Sequence, residues 1–417
     1  MIDRRNPYLR RLLRDPLILP FYVPAFMLFL GSALLSPVLP LYAANFEVSY
    51  AWIGAVASAR ALGMLLMDVP SGLLLRRLGH KRAILLGMAV TVGFRAAMSW
   101  AGSIQEAFGY QLVSGFGMAL YSIARHAYIT EHAPKSNRGR SMALFGGLVR
   151  IAGFIGPSIG GFVAAWMGLR VPFVVAGLVS VPALLSVALF MPAGSAKATP
   201  SLVGRTSQPR MAEPLALLEM LRGQARHLVP AGVGHVFVQI VRSGRGIIIP
   251  LYAANVLGLD VKQVGLLLTI SAAVEMTMFW PAGWLMDNLG RKYSFVPSFG
   301  LQAIGMACMP LVGGFAGLLA CASLIGLGNG LSSGGMLTLG SDLAPDNARG
   351  EFLGVWRLIG DVGGTAGPAV VGVVAQTLAL PSAALALAVS GLLAALTFGV
   401  LLPETRRPEQ VTEPVAA

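Results

Sequence analysis

Charge is scarce in this chain. Only 12% of its 417 residues are Asp, Glu, Lys or Arg, where a soluble globular chain carries about 25%. So few polar groups cannot cover a water-exposed surface of this size, so an ordinary soluble domain is excluded. Acids are scarcer still, 18 against 31 Lys and Arg. Cysteine is nearly absent: Cys308 and Cys321 both lie in apolar stretches, which leaves them as small core residues rather than a disulfide or a thiolate metal site. No Gly-rich loop ends in Lys-Ser/Thr and no nucleophile elbow occurs. His126 and His132 flank Glu131 too loosely to hold zinc. Nothing therefore points to an enzyme, an ATP-driven pump, a metal or a cofactor.

What is abundant is apolar. Hydrophobic residues make up 55% of the chain and the mean hydropathy is +0.72. At about 20 apolar residues per membrane span, there is room for about a dozen spans with short loops. Apolar segments begin near Leu17, Ala51, Arg82, Gln105, Arg140 and Arg170, and again near His227, Lys262, Lys292, Phe315, Gly350 and Pro381. The run from Leu17 to Tyr42 is too long for the apolar region of a signal peptide, so it reads as a span.

The expected fold is an all-α membrane protein with twelve transmembrane helices in two six-helix bundles. Its expected parts are a basic amphipathic N-terminus (1–16), an N-terminal bundle (17–192), a cytoplasmic linker (193–226), a C-terminal bundle (227–403) and a tail (404–417). The basic residues support this arrangement. Arg4, Arg5, Arg76, Arg77, Lys81, Arg82, Arg222, Arg226, Arg291, Lys292 and Arg349 fall on one side of it, and only Arg170 and Lys262 on the other. That asymmetry places both termini in the cytoplasm of a cell-membrane protein, and it explains a formal charge of +13 without a nucleic-acid partner.

The two halves are repeats. Leu39-Pro-Leu-Tyr-Ala-Ala-Asn45 returns as Ile249-Pro-Leu-Tyr-Ala-Ala-Asn255. Beyond the first span the offset is a constant 211: Gly72 with Gly283, Glu131 with Asp342, Gly156-Pro157 with Gly367-Pro368, and Arg150 with Asp361. Duplicated halves of this kind put a substrate site at the midplane between them.

Gly283-Trp-Leu-Met-Asp287-Asn-Leu-Gly290-Arg291-Lys292 resembles the loop motif of the major facilitator superfamily, in the place where that family has it. The first half carries a degenerate copy, Gly72-Leu-Leu-Leu-Arg76-Arg-Leu-Gly79-His-Lys81-Arg82, with Arg76 where the acid is expected. Asp68, earlier in the same helix, is a substitute for that acid, and Glu131 a partner for Arg76. Leu30-Gly31 with Pro37-Val38-Leu39-Pro40, and Gly153 with Gly156-Pro157-Ser-Ile-Gly160-Gly161, resemble the first- and fifth-helix motifs of the twelve-helix drug:proton antiporter branch. In that branch Gly156, Pro157, Gly367 and Pro368 imply kinked, closely packed helices. Gln111 stands where the family's fourth-helix motif has Arg, and the first span holds no acid, so the usual proton machinery does not carry over.

Seven arginines lie inside apolar spans: Arg60, Arg95, Arg125, Arg150, Arg242, Arg245 and Arg357. Each costs about 2.5–3.5 kcal/mol at a helix centre, so each needs a water-filled cavity, a countercharge or a substrate. Arg95, near a helix end, reads as a snorkelling or structural residue. His235, Gln239, Arg242 and Gly246 share one helical face. The expected cavity set is Arg60, Arg125, Arg150, His235, Gln239, Arg242, Arg245 and Glu275. A proton carrier must change charge within the membrane, which a carboxyl can do, so Asp361 or Glu275 is the expected coupling group.

The expectation is a monomeric, proton-coupled exporter of small amphiphiles acting across the lipid bilayer by alternating access. The excess of arginine over acid favours anionic or zwitterionic ones. The alternatives are an importer or a lipid, metabolite or sugar carrier (Pro403-Glu404-Thr405-Arg406 resembles the end of the family's sugar-uptake branch), or a non-transporting membrane receptor or scaffold.

Overall fold

The computed structural model describes residues 18–132, 138–192, 214–345 and 349–404, with side chains for 20–129, 144–192, 222–345 and 349–404. The basic N-terminus, most of the linker, the tail beyond Glu404 and the side chain of Glu131 lie outside these residues.

The described residues are almost entirely helical. The spans, in order, are Val23–Leu34 with Val38–Ala44; Tyr50–Ala97, which holds the second and third; Ile104–His132; Arg138–Met167; Val171–Phe190; Pro214–Asn255; Val261–Thr277 with Phe279–Asn288; Arg291–Cys308; Phe315–Leu331 with Gly335–Leu343; Arg349–Thr377; and Leu380–Leu396. The chain thus crosses twelve times. The seventh helix begins at Pro214, inside the stretch expected to be linker.

Each break has a local cause. Tyr50–Ala97 would be about 70 Å long as one helix, more than twice the bilayer core. It turns instead at Gly79, whose φ of 74° suits glycine. Gly290, its counterpart 211 residues on, makes the same turn with φ 120°. The first span bends by 40° after Leu34, where Pro37 has no N–H to offer Ala33. The Ser36 hydroxyl takes that carbonyl instead, at 2.9 Å. Pro281 interrupts the eighth span in the same way at Thr277–Phe279, and left-handed Gly334 interrupts the tenth.

The face that carries residues 20 and 404 is termed the terminal face. On the opposite face one apolar cluster runs through both bundles, joining Leu34, Tyr42, Ile53 and Phe173 to Ile248, Tyr252, Leu318 and Leu387. Towards the terminal face this core divides in two. Phe21, Met88, Tyr121 and Val187 belong to the first bundle, and Phe295, Phe299, Trp356 and Phe398 to the second. The bundles therefore share a core at one end and part at the other.

The shared end closes by glycine. A Cβ on Gly54 would lie 2.5 Å from the Pro368 carbonyl and 3.0 Å from the Gly372 Cα; one on Gly265 would lie 2.5 Å from the Pro157 carbonyl and 3.1 Å from the Gly161 Cα. Gly54 and Gly265, Gly161 and Gly372, and Pro157 and Pro368 are each 211 residues apart. The second span crosses the eleventh, and the eighth crosses the fifth, by the same backbone-to-backbone contact on opposite flanks. Small residues permit this close approach in lipid. Tryptophans mark both membrane edges, with Trp100 and Trp166 exposed on the opposite face and Trp280 and Trp284 on the terminal side.

Candidate functional site

A cavity of about 270 Å³ lies between the bundles, below the glycine seal. Ser32, Ser36 and Pro40 of the first span line it, with Arg60 and Met64 of the second, Arg95 of the third, Gln111 of the fourth, Ser243 and Gly246 of the seventh, and Gly364 and Pro368 of the eleventh. Two guanidinium groups face this space and, among the described residues, no acidic side chain does. Arg95, only 4% exposed, donates to the Ser32 hydroxyl at 2.8 Å and the Leu28 carbonyl at 3.3 Å. Gly31 makes room for it, because a Cβ there would come within 3.3 Å of the guanidinium. Arg60 has no hydrogen-bond or ion-pair partner among the described residues. The two cations are close enough to act on each other electrostatically.

The other expected cavity residues sit elsewhere. Arg125 is buried in an aromatic box, its guanidinium 4.2 Å from the Phe145 ring centre, 5.2 Å from Tyr121 and 5.8 Å from Phe29. His235 stacks on Trp356 with ring centres 4.4 Å apart, inside the terminal-side core. Gln239 packs beside Gly363 of the eleventh span. Of the polar stripe on the seventh span, only Gly246 reaches the cavity lining. Periodicity placed these residues on one face, but that face turns along its length from the eleventh span to the cavity.

Arg242, Arg245 and Glu275 form a network inside the second bundle. Arg242 Nε donates to Asn329 Oδ1 at 2.9 Å, and its Nη2 to the Ser332 hydroxyl at 2.8 Å and the Ser332 carbonyl at 3.2 Å. These contacts satisfy the backbone where the tenth span breaks. Arg245 pairs with one Glu275 oxygen at 3.0 Å, and the Asn329 amide donates to the other at 2.6 Å.

Two groups reach across the gap between the bundles on the terminal side. Arg150 of the fifth span lies 3.5 Å over the Phe279 ring and donates to the Ser333 hydroxyl, where the eighth and tenth spans are broken. On the other flank Arg357 lies 3.4 Å from Asp68 and 3.5 Å from Asp361. One guanidinium thus gathers a carboxyl from each bundle. Asp68 therefore serves the eleventh span and not the degenerate first-half loop.

The loop motifs differ as their sequences do. Arg291 Nε pairs with Asp342 at 3.0 Å, and its Nη1 reaches the Met286 carbonyl at 2.7 Å and Asp287 at 3.4 Å. Glu404 accepts the Arg291 and Lys292 N–H groups at 2.9 and 3.1 Å, capping the ninth span. Gly283 meets nothing with the Cβ side of its backbone, as does Gly72. Arg76 and Arg82 are exposed and have no such network among the described residues. Gly156 packs on Ala33 of the first span, and Gly367 on Ser243 and Ile240 of the seventh, so both glycines let a neighbouring helix come close.

Sequence reasoning passed over Arg95 and Ser32 as cavity residues and the meeting of Asp68 with Arg357. Each depends on which helices meet, and no periodicity reports that. Gln111 was visible only as a departure from a motif.

The comparisons agree with this architecture. The family model described as Major Facilitator Superfamily matches residues 22–230 and 231–417, and the chain belongs to that superfamily of transporters. It is 23% identical to Multidrug resistance protein 2 of Bacillus subtilis over 357 residues, 84% of this chain and 86% of that protein. It is 22% identical to an uncharacterized MFS-type transporter of Methanocaldococcus jannaschii over 82% of this chain and 86% of that one. In structure it resembles a D-xylose-proton symporter with a TM-score of 0.74 at 17% identity, over 95% of this chain and 99% of the other.

Proposed function

We propose that this multi-pass membrane protein is a secondary active exporter of small amphiphilic anions or zwitterions, driven by protons. The observation that carries the reading is the cavity itself, with Arg60 and Arg95 facing a space that no acid lines. A cationic drug would meet two like charges there, whereas a carboxylate or phosphate would gain charge-assisted hydrogen bonds. Met64, Leu35 and Leu39 offer an apolar wall to the rest of such a molecule. The resemblance to multidrug resistance proteins supports export as the direction.

The mechanism follows from the two ends. The glycine seal closes the opposite face, while on the terminal face the cores part and are bridged by the Arg150 and Arg357 contacts, so release of those contacts opens the cavity to the terminal side. The basic loops there assign that side to the cytoplasm of the cell membrane. A substrate entering from the cytoplasm settles on Arg60 and Arg95; rocking of the bundles then opens the seal and closes the terminal side. A monomer contains every part required. The N-terminal (17–192) and C-terminal (227–403) bundles are part of this proposal, with the seventh helix extended back to Pro214.

The test uses proteoliposomes carrying an imposed pH gradient and a panel of anionic, zwitterionic and cationic amphiphiles of matched apolar size. Dissipation of the gradient by anions or zwitterions, reduced at least tenfold in Arg60→Ala, supports the proposal. Dissipation by cations alone overturns the substrate class. Transport in the uptake direction alone would favour an importer.

A further inference from the structure

We infer that the coupling proton is held between Asp68 and Asp361, as a pH-sensitive latch on one flank of the terminal side, matched on the other flank by a contact that no proton can alter. The inference rests on the proton-driven reading above, and deepens it by locating the site.

The argument is one of symmetry. Arg150 and Asp361 are 211 residues apart, and so are Phe279 and Asp68. The contact of the fifth span with the eighth and that of the eleventh with the second are thus the same contact made twice by the repeat. On one flank it is Arg150 over Phe279 at 3.5 Å. An arginine keeps its charge at any physiological pH and a phenyl ring has none to lose, so this flank does not respond to pH. On the other flank it is two carboxyls with one guanidinium, Arg357, at 3.4 and 3.5 Å.

The charges on that flank balance only with a proton present. Two ionised carboxylates and one guanidinium leave one uncompensated negative charge; one shared proton brings the triad to zero. Two carboxylates gathered on one guanidinium repel each other and do not both ionise readily. One Asp361 oxygen is buried without a hydrogen bond among the described residues. The other charged or titratable groups near by are Arg125 and His126 of the fourth span, which feel Arg357 electrostatically, and Arg60, about two turns along the helix from Asp68. None of them supplies a second carboxyl partner.

Because Asp68 belongs to one bundle and Asp361 to the other, their separation is the opening of the terminal side. Closed, the pair holds one proton as Asp–H···Asp⁻. Parted, each carboxylate is hydrated or paired with Arg357, and the proton passes to water on the terminal face. Glu275, the other candidate carrier, is less suited, since both its oxygens are held by donors within the second bundle.

The experiment uses the full chain with Cys308 and Cys321 replaced by serine and spin labels at Arg77→Cys and Leu289→Cys, in the terminal loops of the two halves. Inter-label distances are measured from pH 5 to pH 9. The expected result is a shift to longer distances as pH rises, lost in the double variant Asp68→Asn/Asp361→Asn and retained in Asp361→Glu and in Phe279→Leu. Thermal unfolding checks that each variant is folded. A pH-dependent distance in the folded double variant overturns the inference, and so does its absence in the parent protein. The distances need no substrate, so failure of the export reading in proteoliposomes is separable from failure of the latch.

Discussion

Replacing Gly54 with alanine should unseal the opposite face. The new Cβ would lie 2.5 Å from the Pro368 carbonyl and 3.0 Å from the Gly372 Cα, and both contacts are backbone. A carbon–oxygen contact relaxes at about 3.3 Å, so the two helices must part by the better part of an ångström at a point where neither side chain can yield. Overpacking of this kind costs about 1–3 kcal/mol. The cost falls only on the state in which this face is closed. At 1.4 kcal/mol per tenfold, the balance between the two access states should move by about 5- to 150-fold towards the opposite-open form. Gly265→Ala should act equally, since its crossing is the repeat of the first, and the double variant should add the two effects. Spin labels at Trp100→Cys and Leu378→Cys, exposed on the opposite face in different halves, would read the change as a longer distance population. Gly93→Ala is the control, because a Cβ there meets nothing within 4 Å. Folded Gly54→Ala and Gly265→Ala proteins with an unchanged distance distribution would refute the claim that these crossings hold the face shut.

Other outcomes follow from the same geometry. Arg60→Ala should weaken binding of an anionic amphiphile by about 10- to 100-fold, as expected for loss of a charge-assisted hydrogen bond, with Arg60→Lys intermediate; calorimetry on the purified protein would show it, and equal affinity in all three would count against the cavity as the anion site. Arg291→Ala removes contacts to Asp342, Asp287 and the Met286 carbonyl and should lower the unfolding midpoint clearly, while Arg76→Ala, exposed in the first-half copy of the motif at the position of Asp287, should change it little. Glu404→Ala strips two N–H acceptors from the start of the ninth span and should cost about 1 kcal/mol, read in the same thermal assay; no change would mean solvent caps that helix equally well.

Several features were legible in the residues alone. The scarcity of charge and the length of the apolar runs demanded a membrane protein, because a backbone in lipid must satisfy itself in helices. The constant offset of 211 exposed the duplication. Gly79 and Gly290 were visible as members of the loop motif and its degenerate copy, and Gly156-Pro157 and Gly367-Pro368 as points of close packing. The preference for an anionic substrate came from counting arginines against acids. The structure places the members of that count differently: Arg125 sits in an aromatic box, Arg150 on a phenyl ring, and Arg242 and Arg245 within a network of their own, while Arg95, read as structural, faces the cavity.

The sequence by itself determined that the chain spans a membrane, that it does so in two related halves, and where its helices turn. These are properties of segments, governed by local hydropathy, by the missing N–H of proline and by the backbone freedom of glycine. Only the tertiary structure decided which arginine meets an acid, a ring or an open space. An arginine in an apolar helix costs nearly the same wherever it is inserted, and what relieves that cost is a group on another helix, brought near by packing alone. The two flanks of the terminal side show this most plainly. The repeat assigns them equivalent positions, and it is the pairing of Arg150 with Phe279 and of Asp361 with Asp68, set by how the bundles meet, that makes them chemically unlike.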